Sequence, residues 1–504
     1  MKGKFSSKVA VLAVAAVVLV AMFAVPALAK DTLTVANIYD ARSLDPIIQN
    51  EVAASNAICH INETLIELTD EGNPVPLLAE TFEQLDSTTY KFVLRKGVKF
   101  HNGDPFTAAD VLYTIERAKS PLGSAIKQYP EIIESAEAPD DHTVVIKIKY
   151  PFTPFWGTIA HTSLAIVNKR AVEEKGDMYP LEPVGTGPFF VKEWVKNDRL
   201  TLERFEDYWG KKPEYTTLVI RSIPESVNRT IELETGAIDV AFRIPVSDVT
   251  RVKEHNDLDV IGGFEHSVTY MGFNCEKEPW SNPKVREAIA LALDINGARH
   301  AVFRGTGLTP VSIVPPTIKY TDKELPAPKR DLEKAKQLLK EAGVQLPLKA
   351  QIWSNSYKPR VDLAQIFQAQ LKEVGIEVEA KVLEWGAYLD GLKLGEHDMF
   401  ILGWVISSVD PDGIFSGIVH SKGGSNYSRF FNEEIDALID QGKTMPDGPE
   451  REALYKKLQQ LVGDARPMLY LYNEENFFGV NKNVQNFRPS PRGYHNVTGV
   501  TFKE

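Results

Sequence analysis

Apolar and polar positions alternate with a period of two at residues 32–36, 89–94 and 142–149, which predicts strands there. The same alternation predicts strands from Phe189 through Glu203 and at residues 218–222. Between them, apolar positions recur every three or four residues at 51–68, 108–118, 226–234, 284–293, 331–342, 363–374, 433–441 and 450–461, which predicts helices. Start and stop signals support these limits. Thr107 precedes one helix with Asp110 three residues on, Asn282-Pro283 opens another, and Gly236, Gly343 and Gly375 close three. Short apolar runs at 349–353, 377–383 and 399–404 predict buried strands. Helices alternating with strands in this way predict an α/β fold. Val184-Gly185-Thr186-Gly187-Pro188-Phe189 interrupts the pattern as a hinge-like segment.

Length changes the picture first. A single core stops growing at roughly 250–300 residues, so 504 residues predict two or more lobes. With 43% hydrophobic and 25% charged residues the composition is that of a globular protein. Asp and Glu outnumber Lys and Arg by 68 to 57, and no basic stripe is visible, which argues against a nucleic-acid partner.

Residues 1–29 form a separate unit. Lys2, Lys4 and Lys8 precede an apolar run at 9–23, and Ala27-Leu28-Ala29 supplies the small-x-small pattern of a signal-peptidase site. The run falls short of the roughly 20 apolar residues of a spanning helix, so a cleaved signal and an exported protein starting near Lys30 are expected. No Cys follows the cut, which excludes lipid attachment there. Cys59 and Cys275 are the only cysteines. Export permits a disulfide between them, and two buried free thiols are the plainer reading.

Catalytic signatures are missing. The chain has no Gly-x-Ser-x-Gly elbow, no phosphate loop and no His-Glu-x-x-His helix. Its ten histidines are scattered, with no pair at metal-ligand spacing. Neither a cofactor nor a bound metal is expected.

Several segments in order along the chain resemble the extracellular solute-binding proteins of ABC transporters, family 5, the peptide, opine and nickel group. They are Tyr90-Lys91-Phe92-Val93-Leu94-Arg95-Lys96-Gly97-Val98-Lys99-Phe100-His101-Asn102-Gly103, the Val184–Phe189 segment followed by Tyr208-Trp209, and Asn282-Pro283-Lys284-Val285-Arg286-Glu287-Ala288 with Ala292-Leu293-Asp294. Lys334-Ala335-Lys336 through Ala342-Gly343, and Gly403-Trp404 with Asp410-Pro411-Asp412, complete the set. Dipeptide- and glutathione-type binders look nearest, on Val314-Pro315-Pro316 and Ile352-Trp353-Ser354.

The resemblance implies a two-lobed periplasmic-binding-protein clamshell whose larger lobe has two subdomains and whose hinge is crossed twice. Lobe 1 would take residues 30–68, 184–271 and 479–504 as its core and 69–183 as an extra subdomain. Lobe 2 would take 272–478. It also implies a site. Gly403 and Trp404 would meet the ligand, with the Trp404 face as a platform and its indole N–H as a donor. Where peptide binders place an Asp for the ligand ammonium, four residues past the Gly, this chain has Ser407. A neutral hydrogen bond contributes about 0.5–1.5 kcal/mol against about 1.5–3 for a charged one. Asp410, or an acidic residue such as Glu51, is the candidate replacement. Lys358 or Arg360 would bind a ligand carboxylate. Asn50 and His161-Thr162 fall in further contact loops. Each also has a plainer reading as a turn, core or solvated residue.

The expected function is the periplasmic substrate-binding component of an ABC importer. It would be a monomer that closes on a di- or oligopeptide or glutathione-like guest and delivers it to the permease at the inner membrane. Two same-fold alternatives remain. A nickel-chelate binder would need His161 or His420 at the ligand, and an oligosaccharide binder would stack its guest on Trp353, Trp385 or Trp404. An exported α/β hydrolase is the alternative of a different class.

Overall fold

The computed structural model describes residues 30–127 and 129–503, so the predicted signal segment lies outside the described residues. Among the described residues, no helix is long and apolar enough to cross a membrane.

Two lobes carry the chain. The first is built on a seven-stranded mixed sheet whose order is Leu258–Phe264, Glu475–Asn481, Val240–Ala241, Thr32–Asn37, Thr217–Ser222, Arg199–Arg204 and Phe189–Val195. A four-stranded antiparallel sheet adjoins it, ordered Ala79–Gln84, Thr89–Leu94, Thr143–Ile148 and Ile133–Asp140. The second lobe is built on a five-stranded sheet, ordered Ile376–Leu383, Leu348–Asn355, Met399–Val405, Ser267–Phe273 and Met468–Tyr472. This is the two-lobed α/β clamshell.

The chain leaves the seven-stranded sheet at Phe264, enters the five-stranded one at Ser267, and returns between Tyr472 and Glu475. Both crossings precede the limits 271/272 and 478/479 expected from sequence. The reason is burial on both faces. Val268 and Tyr270 pack into one core and Met271 and Phe273 into another, so Ser267–Phe273 shows no amphipathic alternation to mark its start. The helix predicted over 51–68 stops at Ile61. Asn62 turns extended and its amide donates to the Ile166 carbonyl at 2.9 Å, and the strand Ile66–Leu68 joins the core of the four-stranded sheet.

The hinge-like segment is not at either crossing. A Cβ on Gly185 would meet the Ile61 carbonyl oxygen at 2.0 Å, so its lack of a side chain permits a close backbone approach within the first lobe. Beside it the buried Glu63 carboxylate accepts from Thr186 Oγ1, Tyr208 OH and Trp209 Nε1, each at 2.8 Å. This node accounts structurally for the Gly185-Thr186-Gly187 and Tyr208-Trp209 pairing. Cys59 and Cys275 are free, and burial pushes both thiols up.

Buried histidines make the fold acid-sensitive. His101 Nδ1 accepts from the Gly185 N–H at 3.2 Å while Nε2 donates to the Gly187 carbonyl at 2.9 Å. His60 uses Nδ1 toward the Asn56 carbonyl at 2.9 Å and accepts from the Val497 N–H at Nε2, 3.0 Å. Both networks require a neutral ring, and burial lowers each pKa to about 4. His397 is lowered to about 4, and His161 and His495 to about 3, for the same reason. A folded-state pKa below the unfolded value makes the unfolded chain bind more protons, so stability falls as pH drops from 6.5 toward 4. Each shift to about 4 is worth up to about 3 kcal/mol. Burial raises Glu63 to about 7 and Asp412 to about 6, which works in the opposite sense. His266 is lowered in the same way, and burial also raises Glu51, Glu67, Asp110 and Glu265, so the carboxyls offset part of the loss that the histidines cause on acidification. Urea unfolding followed from pH 7 to pH 4 should show it, with a shallower slope for His101→Gln; a flat profile would refute it.

Candidate functional site

A cavity of about 200 Å³ lies between the lobes and is lined from both. Arg360 reaches it from the first turn of the helix Lys358–Lys372. Its Nη1 donates to Asn355 Oδ1 at 3.1 Å, and its buried Nε has no partner. Nη2 presses on the strand Met399–Val405 so closely that a Cβ on Gly403 would meet it at 2.7 Å. Gly403 therefore makes room for the guanidinium. No carboxylate among the described residues forms an ion pair with Arg360, so a fixed cation faces the cavity.

The crossings supply the opposite charge. Arg243 Nη2 donates to Glu265 Oε2 at 2.6 Å, and Nη1 lies 3.5 Å from Glu474 Oε2, so one cation joins a carboxylate at each crossing. The Tyr357 hydroxyl also donates to Glu474. Burial opposes the Arg243 charge, but Glu265 and Glu474 outweigh it and hold the group protonated. Arg243 sits at φ +54°, a backbone strain of the kind that clusters at functional sites. Glu265 Oε1 is buried in the cavity wall with no hydrogen-bond partner, and burial raises this carboxyl while Arg243 pulls it down.

The lobes also meet around the rim. Tyr39 and Trp385 stack with ring centroids 5.2 Å apart and planes within 3°. Trp385 Nε1 donates to Glu51 at 3.1 Å, and the Asn355 amide donates to the Tyr39 hydroxyl at 2.5 Å. Arg42 reaches Asp390 at 3.4 Å. These contacts hold a closed arrangement. Truncating Trp385 to alanine removes a stack and a charge-assisted bond that depend on closure, together about 2–4 kcal/mol. At equal concentration of added dipeptide, the Trp385→Ala variant should therefore show a larger radius of gyration by small-angle X-ray scattering than the parent; an unchanged radius would refute the role.

The candidates from sequence divide. Gly403, Trp404, Ser407, Arg360, Asn50 and His161 all line the cavity, as does Glu51. Trp404 offers its face alone, because Nε1 is already donated to the Gly413 carbonyl at 3.1 Å. His161 is neutral, stacks on Tyr129 at 4.3 Å and accepts from the Ser163 N–H at 3.1 Å. Asp410 and Lys358 do not line it. The Asp410 carboxylate is buried in a two-pronged pair with Arg451, both contacts 2.8 Å, with Lys319 at 3.3 Å. Lys358 is paired with Asp362 and exposed, beside a second cavity of about 670 Å³ behind the crossings. His420 packs near Asp436 and Asp440, and Trp353 is core with Nε1 on Gln351. No group of three His, Cys, Asp or Glu able to hold a metal occurs among the described residues.

Sequence reading missed Tyr39, Arg243, Glu265, Glu474 and Arg492, which also line the cavity. All five lie outside helices and strands. The one available signal was Glu265-His266 just after the strand that ends Gly262-Gly263-Phe264.

Comparison with known proteins agrees with this architecture. The family model described as bacterial extracellular solute-binding proteins, family 5 Middle, matches residues 73–426. The dipeptide-binding protein of Escherichia coli K12 is 30% identical over 85% of this chain and 86% of its own. The glutathione-binding protein of the same organism is 29% identical over 92% of each. Among solved structures, the ABC transporter-associated periplasmic binding protein DppA of Helicobacter pylori, in complex with the peptide STSA, superposes with a TM-score of 0.87. It is 28% identical and covers 94% of this chain and 99% of its own.

Proposed function

From the premise that this chain belongs to the bacterial extracellular solute-binding proteins of family 5, we propose that it captures a short peptide between its lobes in the periplasm and delivers it to the permease of an ABC importer. One observation carries this reading. The unpartnered Arg360 Nε and the unpartnered Glu265 Oε1 line a single cavity, so an anion anchor and an ammonium anchor face one guest. Glu265 takes the part that Ser407 cannot fill as a neutral hydroxyl. The volume of about 200 Å³ lies below the roughly 300–1,000 Å³ of drug-sized pockets and favours a guest of dipeptide scale.

The guest acts as a clasp and leaves unchanged. It stabilises the closed form only by binding that form more tightly than the open one. Moving a 1:99 population to 99:1 takes about 5.5 kcal/mol. Charge-assisted bonds at Arg360 and Glu265, about 1.5–3 kcal/mol each, with burial against Trp404, are of that size. The closed form is then what the permease receives. The relatives are binding proteins by name, which supports capture without turnover.

Native mass spectrometry of the purified protein, with identification of any co-purified compound, tests the reading. Calorimetric titration with di- to pentapeptides, glutathione, nickel-histidine and cello-oligosaccharides follows it. A di- or tripeptide should bind tightest and come off unaltered. A sugar or metal chelate binding tighter, or chemical conversion of the peptide, would overturn it.

A further inference from the structure

Arg492 brings a second unpaired cation into the cavity. It lies in the loop between the strands Val484–Gln485 and Thr501–Phe502 and is 5% exposed. Its Nε donates to the Ser407 carbonyl at 2.9 Å and its Nη1 to the Leu68 carbonyl at 3.0 Å, which fixes the fork between the lobes. Its Nη2 is buried with no partner. Arginine stays protonated in proteins, yet no carboxylate forms an ion pair with Arg492 among the described residues. The acids of the cavity wall are engaged elsewhere: Glu265 and Glu474 bind Arg243, and Glu51 takes the Trp385 N–H with Arg42 at 3.8 Å. Glu67 senses the Arg492 charge only from beyond pairing distance.

The two unpaired guanidiniums mark two places on one strand and its exit turn. Arg360 touches Gly403 and Arg492 touches Ser407, four residues on. An extended chain rises about 3.3 Å per residue, so these places are at most roughly 13 Å apart. That upper limit admits the shorter separation of two carboxylates on one small molecule. Between them the spare donors call for two anions, while Glu265 Oε1 offers one place for a cation.

We propose that the guest is a dicarboxylate, with one carboxylate on Arg360 and the second on Arg492, and that within the short-peptide reading, on which this further point rests, it is an acidic dipeptide. A neutral dipeptide leaves Arg492 buried without a counter-charge in the closed form, whereas an acidic one supplies it. The site therefore selects for side-chain charge as well as for length.

Calorimetry on the full mature chain tests this with Ala-Glu, its near-isosteric neutral counterpart Ala-Gln, and glutarate as a dicarboxylate without a peptide. Ala-Glu should bind at least tenfold tighter than Ala-Gln. That ratio should collapse toward one in Arg492→Gln and persist in Arg492→Lys, which keeps the charge. Should Arg492→Gln fail to fold through loss of its two carbonyl bonds, the parent ratio and the Lys variant still decide. Equal affinities, or a preference unchanged in Arg492→Gln, would overturn the second anchor and leave the short-peptide reading intact. Glutarate binding with neither dipeptide would retain the dicarboxylate and end the peptide reading. No binding of any probe would end both.

Discussion

Arg360→Ala is expected to raise the dissociation constant for a short peptide by roughly 100- to 1,000-fold while the fold is retained. Truncating one partner of a buried, hydrogen-bonded charge pair costs about 2–5 kcal/mol, and each 1.4 kcal/mol is tenfold. Inside the protein the side chain makes one hydrogen bond, to Asn355, and lies 5.7 Å from the Tyr357 ring centroid, so the fold loses only these on truncation. Arg360→Lys keeps the charge and loses the planar fork, so it should fall between the two. Titration calorimetry gives the affinities and circular dichroism the fold. An affinity unchanged in the alanine variant would remove Arg360 from the site and, with it, the carboxylate end of the guest.

Asp410→Asn should act on stability and spare affinity. Arg451 is fully buried, and Asp410 provides both of its two-pronged contacts, with Asp447 at 2.8 Å as the remaining acid. Breaking a buried ion pair from one side costs about 3–5 kcal/mol, because the remaining charge stays in a poorly polarisable interior. The urea midpoint of the variant should drop accordingly, with peptide affinity within about threefold of the parent. The reverse pattern, affinity lost at unchanged stability, would restore Asp410 as the ammonium anchor inferred from its position after Gly403-Trp404.

These two residues show how the site was and was not legible in advance. Arg360 was nominated by the resemblance to solute-binding proteins as a residue of the loop before the helix expected over 363–374; the helix in fact begins at Lys358, so Arg360 stands in its first turn. Asp410 had the same credentials and proved to be a structural partner of a residue 41 positions away. Lys358, two residues before Arg360, takes Asp362 on its own helix as partner and faces the other side of the crossings. The helical period places Lys358 and Arg360 about 200° apart around the axis, so only one of them can serve the cavity.

The fold was more readable than the site. Amphipathic elements such as Ala108–Lys119, with its Thr107–Asp110 cap bond at 3.1 Å, announce themselves because one face meets water. The seven consecutive buried residues of Ser267–Phe273 carry no such contrast, and the crossing they begin was placed late for that reason.

By itself, the order of residues determined the α/β alternation, the need for more than one lobe, the likeness to solute-binding proteins and the segment around Gly403, Trp404 and Arg360 that faces the cavity. Those are consequences of local periodicity, of chain length and of short contiguous motifs. The tertiary structure alone decided the charge balance of the cavity: Asp410 is neutralised by Arg451, Arg243 claims the carboxylates of both crossings, and Glu265 and Arg492 each keep an unpartnered atom. Pairing of that kind joins positions tens to hundreds of residues apart. Side-chain patterns record only neighbours at two, three or four places, so the partners are settled when the lobes close.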